Sequence, residues 1–122
     1  MRLITPIIAN FNVGGDETYK LMNDFLFEYD GLGTIKVPAG FITDLASIPD
    51  CVFWWGRGIW DFGALPHDYG YEKGGLIVDN EFVELTRKEL DDIFLNINLH
   101  MGQNIISAYA MYWAVRIYNL NF

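Results

Sequence analysis

The sequence predicts an α+β fold in which N-terminal antiparallel strands or hairpins are followed by an aromatic-rich loop and three helices. Before residue 44, short β-branched and apolar runs alternate with glycine-containing turns, which is typical of antiparallel strands. Residues 62–119 instead carry apolar side chains at helical spacing. We therefore expect a single domain over residues 1–122, with 1–44 mainly β and 62–119 mainly α.

The β part contains four strand candidates, at 3–11, 18–29, 34–37 and 41–43. Gly31 and Gly33 lie between the second and third candidates, where a hairpin turn needs residues that tolerate a positive φ. Residues 44–62 then follow no regular period. Their aromatic cluster predicts a loop anchored by Phe53, Trp54, Trp55 and Trp60.

Three helices are expected in the second half. The first covers 62–71, with Pro66 placed near its first turn, and Gly74 and Gly75 mark a break after it. We interpret the acidic residues of 79–84 as a solvated stretch. Thr86 and Glu89 form a capping box that opens the second helix, which Gly102 ends, and the third covers 104–119. The second helix has an apolar stripe made of Leu90, Ile93, Phe94, Ile97 and Met101.

Composition excludes several classes of function. Sixteen acidic against eight basic residues give a net charge of −8, which disfavours a nucleic-acid partner and an anionic membrane surface. A hard cation such as calcium is compatible with this charge. The lone Cys51 excludes an internal disulfide, and we expect no signal peptide and no transmembrane segment. The default is a soluble protein made in a reducing cytoplasm.

The residues best suited to chemistry are His67, Asp68, Tyr71 and Asp91. On a helix, His67 and Tyr71 share a face, while Asp68 points about 100° away. A histidine that acts as a base needs a carboxylate on its other ring nitrogen. Asp91 lies at the edge of the apolar stripe and can turn inward, whereas Asp92 lies nearer the solvent side. The same spacing also fits a purely structural pair.

A second group follows the last strand candidate. Thr43, Asp44 and Ser47 lie in an exit loop, where polar side chains commonly cap backbone donors. Alternatively, Asp44 supplies a second carboxylate to a cation held by Asp68. Ser47 lacks the glycine-flanked elbow of a nucleophilic serine, so we interpret it as loop architecture.

Three blocks of this sequence resemble a phage and prophage family, domain-of-unknown-function family 1353. They are VPAGFITDLASIP (37–49), HDYGY (67–71) and DDIF (91–94). The family pattern runs V-P-x-G-F-x-T-D-x-A-S-x-P, H-D-x-x-Y and D-x-x-F, and the resemblance covers about residues 34–118. It implies a tailed-phage or prophage origin and assigns no activity.

The last two blocks are also similar to the helix pair of phospholipases of the A2 class. That resemblance implies that His67 is the base, Asp91 orients it, Tyr71 supports Asp91, and Asp68 binds calcium (Ca²⁺). The calcium ion would polarise an ester carbonyl. This sequence departs from that class because it has a single cysteine and no recognisable glycine-rich calcium loop.

Two hypotheses follow from these observations. The first is a phage-encoded, metal-assisted ester hydrolase that acts on lipid or envelope material. The second is a non-catalytic virion, tail-associated or assembly protein, which contacts other virion proteins and in which the His-Asp network is structural. A host-directed interaction protein is a third. All are made in the host bacterial cytoplasm, and the second is incorporated into the virion.

Overall fold

Antiparallel strands and three helices form the described part of the chain, as the α+β prediction requires. The structure is a computed structural model and describes residues 1–5, 7, 9–11, 18–43 and 61–118. Its strands and helices are β1 (Arg2–Leu3), β2 (Ala9–Phe11), β3 (Tyr19–Leu21), β4 (Phe25–Tyr29), β5 (Gly33–Val37), β6 (Ile42–Thr43), α1 (Asp61–Lys73), β7 (Gly75–Val78), β8 (Glu81–Glu84), α2 (Arg87–His100) and α3 (Ile105–Tyr118).

The strands form a five-stranded sheet in the order β1-β4-β5-β7-β8 and a three-stranded sheet in the order β2-β3-β6. Alternation determines which face of the larger sheet is buried. Phe25 pairs with Val37 and Phe27 pairs with Ile35, and all four side chains are fully buried on one face. Gly31 has φ 80° in the turn that joins these two strands, where a larger residue would be strained.

The hairpin β7–β8 was not predicted, and it corrects the interpretation of 79–84 as a solvated acidic stretch. Asp79 and Asn80 have φ 50° and 67°, and the register pairs Val78 with Glu81 across them. Two consecutive left-handed residues are the signature of a tight hairpin turn, which Asp and Asn tolerate better than most residues. The acidic side chains are exposed because β8 is the edge strand of the sheet.

Smaller differences occur within the predicted elements. The predicted run 3–11 overlaps the end of β1 and contains β2, and the run 18–29 divides into β3 and β4 at residues 22–24. Helix α1 begins at Asp61, which places Pro66 beyond the first turn, where its ring nitrogen cannot donate to the carbonyl of Phe62. The capping box of Thr86 and Glu89 is confirmed, with both of its hydrogen bonds present.

Helix α1 is enclosed by the larger sheet and by α2. It contacts β5, β7 and α2, and residues 63–70 are all buried. Helix α3 packs against α2. The predicted aromatic-rich loop, Asp44, Ser47 and Cys51 lie outside the described residues. Among the described residues, no helix combines the length and hydrophobicity needed to cross a bilayer.

Two glycines let α1 and α2 approach closely. Gly63 and Gly70 lie seven residues apart on the α1 face that meets α2, with His67 between them. A Cβ atom at Gly63 would lie 2.5 Å from Asn98 Oδ1, and one at Gly70 would lie 2.9 Å from Leu90 Cδ1. A side chain at either position would therefore have to displace Asn98 or Leu90, or else push the two helices apart.

Replacing Gly70 with alanine tests whether this close approach is required. Alanine gains up to about 1 kcal/mol of helix propensity over glycine. We expect Gly70→Ala nevertheless to lower the free energy of unfolding by about 1–3 kcal/mol, because the added methyl group overlaps the packed Leu90 side chain. Urea denaturation measures the difference.

A double-mutant cycle with Leu90→Ala identifies the cause. If Leu90 is the obstacle, Gly70→Ala will cost less in the Leu90→Ala background than in the wild type, giving a coupling of at least about 0.5 kcal/mol. Equal costs in the two backgrounds, or a Gly70→Ala variant more stable than wild type, would contradict the close-approach argument.

Candidate functional site

His67 and Asp91 meet in the interior, between α1 and α2. His67 Nε2 lies 2.5 Å from Asp91 Oδ1, and both side chains have 0% exposure. Asp91 lies one residue after Leu90, so it faces α1 beside the apolar stripe of α2. The structure therefore brings together the two residues that the sequence proposed as a base and its orienting group.

Tyr71 holds the same carboxylate oxygen. Its hydroxyl donates to Asp91 Oδ1 at 2.7 Å, and its ring centroid lies 4.4 Å from that of His67. Burial, and then the hydrogen bond to Asp91, raise the pKa of Tyr71 well above its ordinary value, so the hydroxyl stays a donor at neutral pH. Phe94 packs on the imidazole, with ring centroids 5.0 Å apart. The ring of His67 is thus held from two sides.

Arg116 completes the group, and the sequence analysis missed it. Its Nη1 donates to Asp91 Oδ2 at 3.0 Å, and its side chain is 25% exposed. The hydrogen bond to Asp91 raises the pKa of Arg116. One signal was available, because Arg116 is the only charged residue in the 14 residues of α3. Its partner could not be inferred, since that depends on how α3 docks on α2.

In the neutral form of His67, the contact with Asp91 decides which ring nitrogen carries the hydrogen. A neutral ring whose Nε2 contacts a carboxylate oxygen carries its hydrogen on Nε2. Nδ1 then keeps the basic lone pair. Chemically, this is a histidine whose tautomer and orientation are set in advance for proton transfer.

Asp68 points away from this group, as helical geometry predicts. Its Oδ2 accepts a hydrogen bond from Thr43 Oγ1, so it lies beside the end of β6. Asp44, the second proposed metal ligand, lies outside the described residues. Among the described residues, no three His, Cys, Asp or Glu side chains are grouped in a way that could hold a metal ion.

Asp92 belongs to the surface junction of α2 with α3. Lys88 Nζ donates to its Oδ2 at 2.8 Å, and the Tyr112 hydroxyl donates to its Oδ1 at 2.7 Å. Partial burial alone would raise the pKa of Asp92, but these two hydrogen bonds outweigh it and lower the pKa. Both neighbouring aspartates thus bond to α3, but only Asp91 also contacts α1.

A comparison with protein families adds one finding. The family model described as "Protein of unknown function (DUF1353)" matches residues 19–115, well over half of the chain. The chain belongs to this family. Its description states no activity, and the match spans His67, Tyr71 and Asp91 while ending one residue before Arg116. Neither the curated proteins nor the solved structures include a match to this chain.

Arg116 offers a direct test of the buried carboxylate. We expect Arg116→Met to lower the free energy of unfolding by about 3 kcal/mol, because Asp91 would stay buried after losing its cationic partner. Methionine keeps much of the apolar stem, so the loss reports mainly on the charge. Chemical denaturation at neutral pH measures it.

Arg87→Met is the matched control. The guanidinium of Arg87 lies 5.2 Å from the centroid of the Tyr71 ring and makes a cation–π contact. Its loss should cost at most about 1 kcal/mol. Equal effects of the two substitutions would mean that the Arg116–Asp91 ion pair does not stabilise the buried site.

Proposed function

We propose that this protein is an ester hydrolase in which His67 activates a water molecule. The observation that carries the proposal is the 2.5 Å contact between His67 Nε2 and Asp91 Oδ1, supported by Tyr71 and Arg116. If the His67–Asp91 pair were only structural, it would need no more than satisfied hydrogen bonds. Here three donors converge on one carboxylate, which orients the imidazole as a general base requires.

The proposed reaction uses Nδ1 of His67 as the base. Nδ1 takes a proton from water while the water oxygen attacks the ester carbonyl, forming a tetrahedral intermediate. Asp91 stabilises the imidazolium that forms, and Arg116 and Tyr71 keep Asp91 in place. As the C–O bond to the leaving group breaks, the imidazolium returns the proton to the departing alkoxide. The products are a carboxylic acid and an alcohol, and the histidine is neutral again.

The substrate class comes from the resemblance between the His67–Tyr71 and Asp91–Phe94 blocks and the phospholipase helix pair. We infer a lipid or another envelope ester as substrate and a phage or prophage as the source of the chain. Membership of the DUF1353 family is consistent with this proposal and states no substrate.

We propose separately that Asp68, together with Asp44, binds a calcium ion. The ion takes six to eight oxygen ligands. The described residues offer the Asp68 carboxylate, which already accepts from Thr43, and Asp44 lies outside them. The described residues by themselves therefore do not supply enough oxygen ligands for a calcium site.

A second candidate is a virion or assembly component in which the same network is structural. The observation that favours it is the 0% exposure of both His67 and Asp91, because a base must be reached by its substrate. Buried, fully bonded polar networks also stabilise one particular packing of a core. Activity and access therefore have to be measured together.

The activity test uses the full chain and a panel of carboxylic esters, from p-nitrophenyl esters to phosphatidylcholine vesicles. We expect hydrolysis by the wild type and a loss of about 10²–10⁴-fold in His67→Gln, because the base is removed. His100→Gln is the matched control, since His100 is the only other histidine and is exposed. A folded His67→Gln variant as active as wild type would exclude the mechanism.

Access to His67 separates the two candidates. Diethyl pyrocarbonate modifies reachable imidazoles, and peptide mass spectrometry locates the label. The hydrolase proposal expects the native protein to be labelled at both His67 and His100. Label at His100 alone, together with no turnover of any ester, would favour the structural candidate.

The calcium test is a calorimetric titration with Ca²⁺ alone, with a melting curve for each variant. We expect the wild type to bind the ion and Asp68→Asn to lose binding while it still folds, because one carboxylate ligand is gone. Asp30→Asn is the control, since Asp30 is an exposed carboxylate paired with the N-terminus. If the wild type does not bind calcium and Asp68→Asn is strongly destabilised, Asp68 is a structural partner of Thr43.

A further inference from the structure

Helix α3 carries apolar residues on two faces, although only one of them is buried. The inner face packs in the core through Ala108, Met111, Tyr112 and Val115. The opposite face carries the outer stripe, which we define as four residues spaced three or four apart. They are Ile106, Tyr109, Trp113 and Ile117, with exposures of 79%, 45%, 58% and 70%.

The outer stripe contains no charge. Arg116 is the only charged residue of α3, and its guanidinium turns to Asp91. A solvent-exposed helix face normally carries polar or charged residues, and a contiguous apolar patch marks an interaction site. The stripe therefore indicates a surface that is covered in the working protein.

We propose that the outer stripe pairs with the same stripe of a second copy of this chain, with the two α3 helices antiparallel. This inference is independent of the proposed hydrolase activity. A two-fold axis that crosses α3 between residues 111 and 112 places Ile106 against the partner's Ile117. The same axis places Ala110 against the partner's Trp113.

This register is self-complementary in size. Trp113 of each chain lies against the small Ala110 of the other chain, and Ile106 lies against Ile117 at each end. Large and small residues therefore alternate across the pair. The interface is isologous, which is how most homodimers close. The antiparallel arrangement also places opposite helix-dipole ends side by side.

The exposed apolar area of α3 is comparable with what one side of a dimer interface needs. The outer stripe and Ile105, which is 62% exposed, together present on the order of 600 Å² per chain, if a fully exposed side chain contributes about 150–250 Å². A standard interface buries about 800 Å² per partner. These five residues thus supply most of what one partner must contribute.

Trp113 packs against a ring of its own helix and is otherwise largely exposed. Its ring packs edge-on against Tyr112, with centroids 5.3 Å apart, and the Tyr112 hydroxyl donates to Asp92. A tryptophan at the centre of an apolar patch is typical of an interface hot spot.

Charge favours a second copy over a membrane as the occupant. Peripheral helices bind anionic bilayers through lysine and arginine residues beside the apolar face, and the outer stripe has none. Two chains of net charge −8 repel each other, and an uncharged stripe is where that repulsion is weakest.

Sedimentation velocity over micromolar to submillimolar concentrations tests the proposal. We expect a wild-type dimer and at least about a thirtyfold weaker dimer for Trp113→Glu, as for an interface hot spot. Phe82→Glu is the matched control, because Phe82 on β8 is 51% exposed and lies outside α3. Circular dichroism confirms that each variant folds.

Two oppositely charged variants test the antiparallel register. Ile106→Lys and Ile117→Glu should each be mainly monomeric, because each places a charge against an isoleucine. In an equimolar mixture, the lysine of one chain faces the glutamate of the other, so heterodimers should form. Parallel helices would not restore this pairing.

Three outcomes would overturn the proposal. They are a wild type that stays monomeric at all concentrations, a dimer that survives Trp113→Glu, and a mixture of the two charged variants that stays monomeric. Phosphatidylcholine vesicles serve as a further probe. A monomer that co-sediments with them only when Trp113 is present would assign the stripe to a lipid surface instead.

Discussion

The buried carboxylate of Asp91 is the group on which the arrangement of the three helices depends. It lies on α2, accepts hydrogen bonds from Tyr71 on α1 and Arg116 on α3, and contacts the imidazole of His67. A carboxylate moved out of water needs several donors and a nearby positive charge to offset its lost hydration. No single helix supplies them all, so satisfying Asp91 requires both neighbours to dock at a defined rotation and depth.

Close packing makes this contact geometry reachable. Gly63 and Gly70 have no side chains on either side of His67, which leaves room there for Asn98 and Leu90 of α2 while the imidazole contacts Asp91. Within the described part of the chain, neither the side-chain nitrogen nor the side-chain oxygen of Asn98, on the same interface, has a hydrogen-bond partner. Asp91 and Asn98 are both buried at the interface of α2 with α1, but among the described residues only Asp91 is surrounded by donors. Burial alone therefore does not explain the three donors around Asp91.

Local sequence patterns predicted the helices and the inward orientation of Asp91. They did not predict the features that depend on how distant elements pack together. The capping box at Thr86 and the apolar stripe of α2 indicated how that helix is oriented, which placed Asp91 inward and Asp92 outward. The hairpin β7–β8 was missed because its strands are only four residues long and one is an acidic edge strand. Arg116 was missed because its bond to Asp91 spans 25 residues and depends on the docking of α3, which no local period encodes.

The docking of α3 connects the buried site with the exposed surface. Arg116 is tied to Asp91 and Tyr112 to Asp92, so two adjacent aspartates of α2 set the rotation of α3 about its axis. Once that rotation is set, Trp113 and Ile117 lie about 100° and 140° around the helix from Tyr112, and they face outward with the rest of the outer stripe. A helix with apolar side chains on two faces would otherwise have no unique way to pack. The polar contacts therefore select which face enters the core and leave Trp113 outside, where a second chain can reach it.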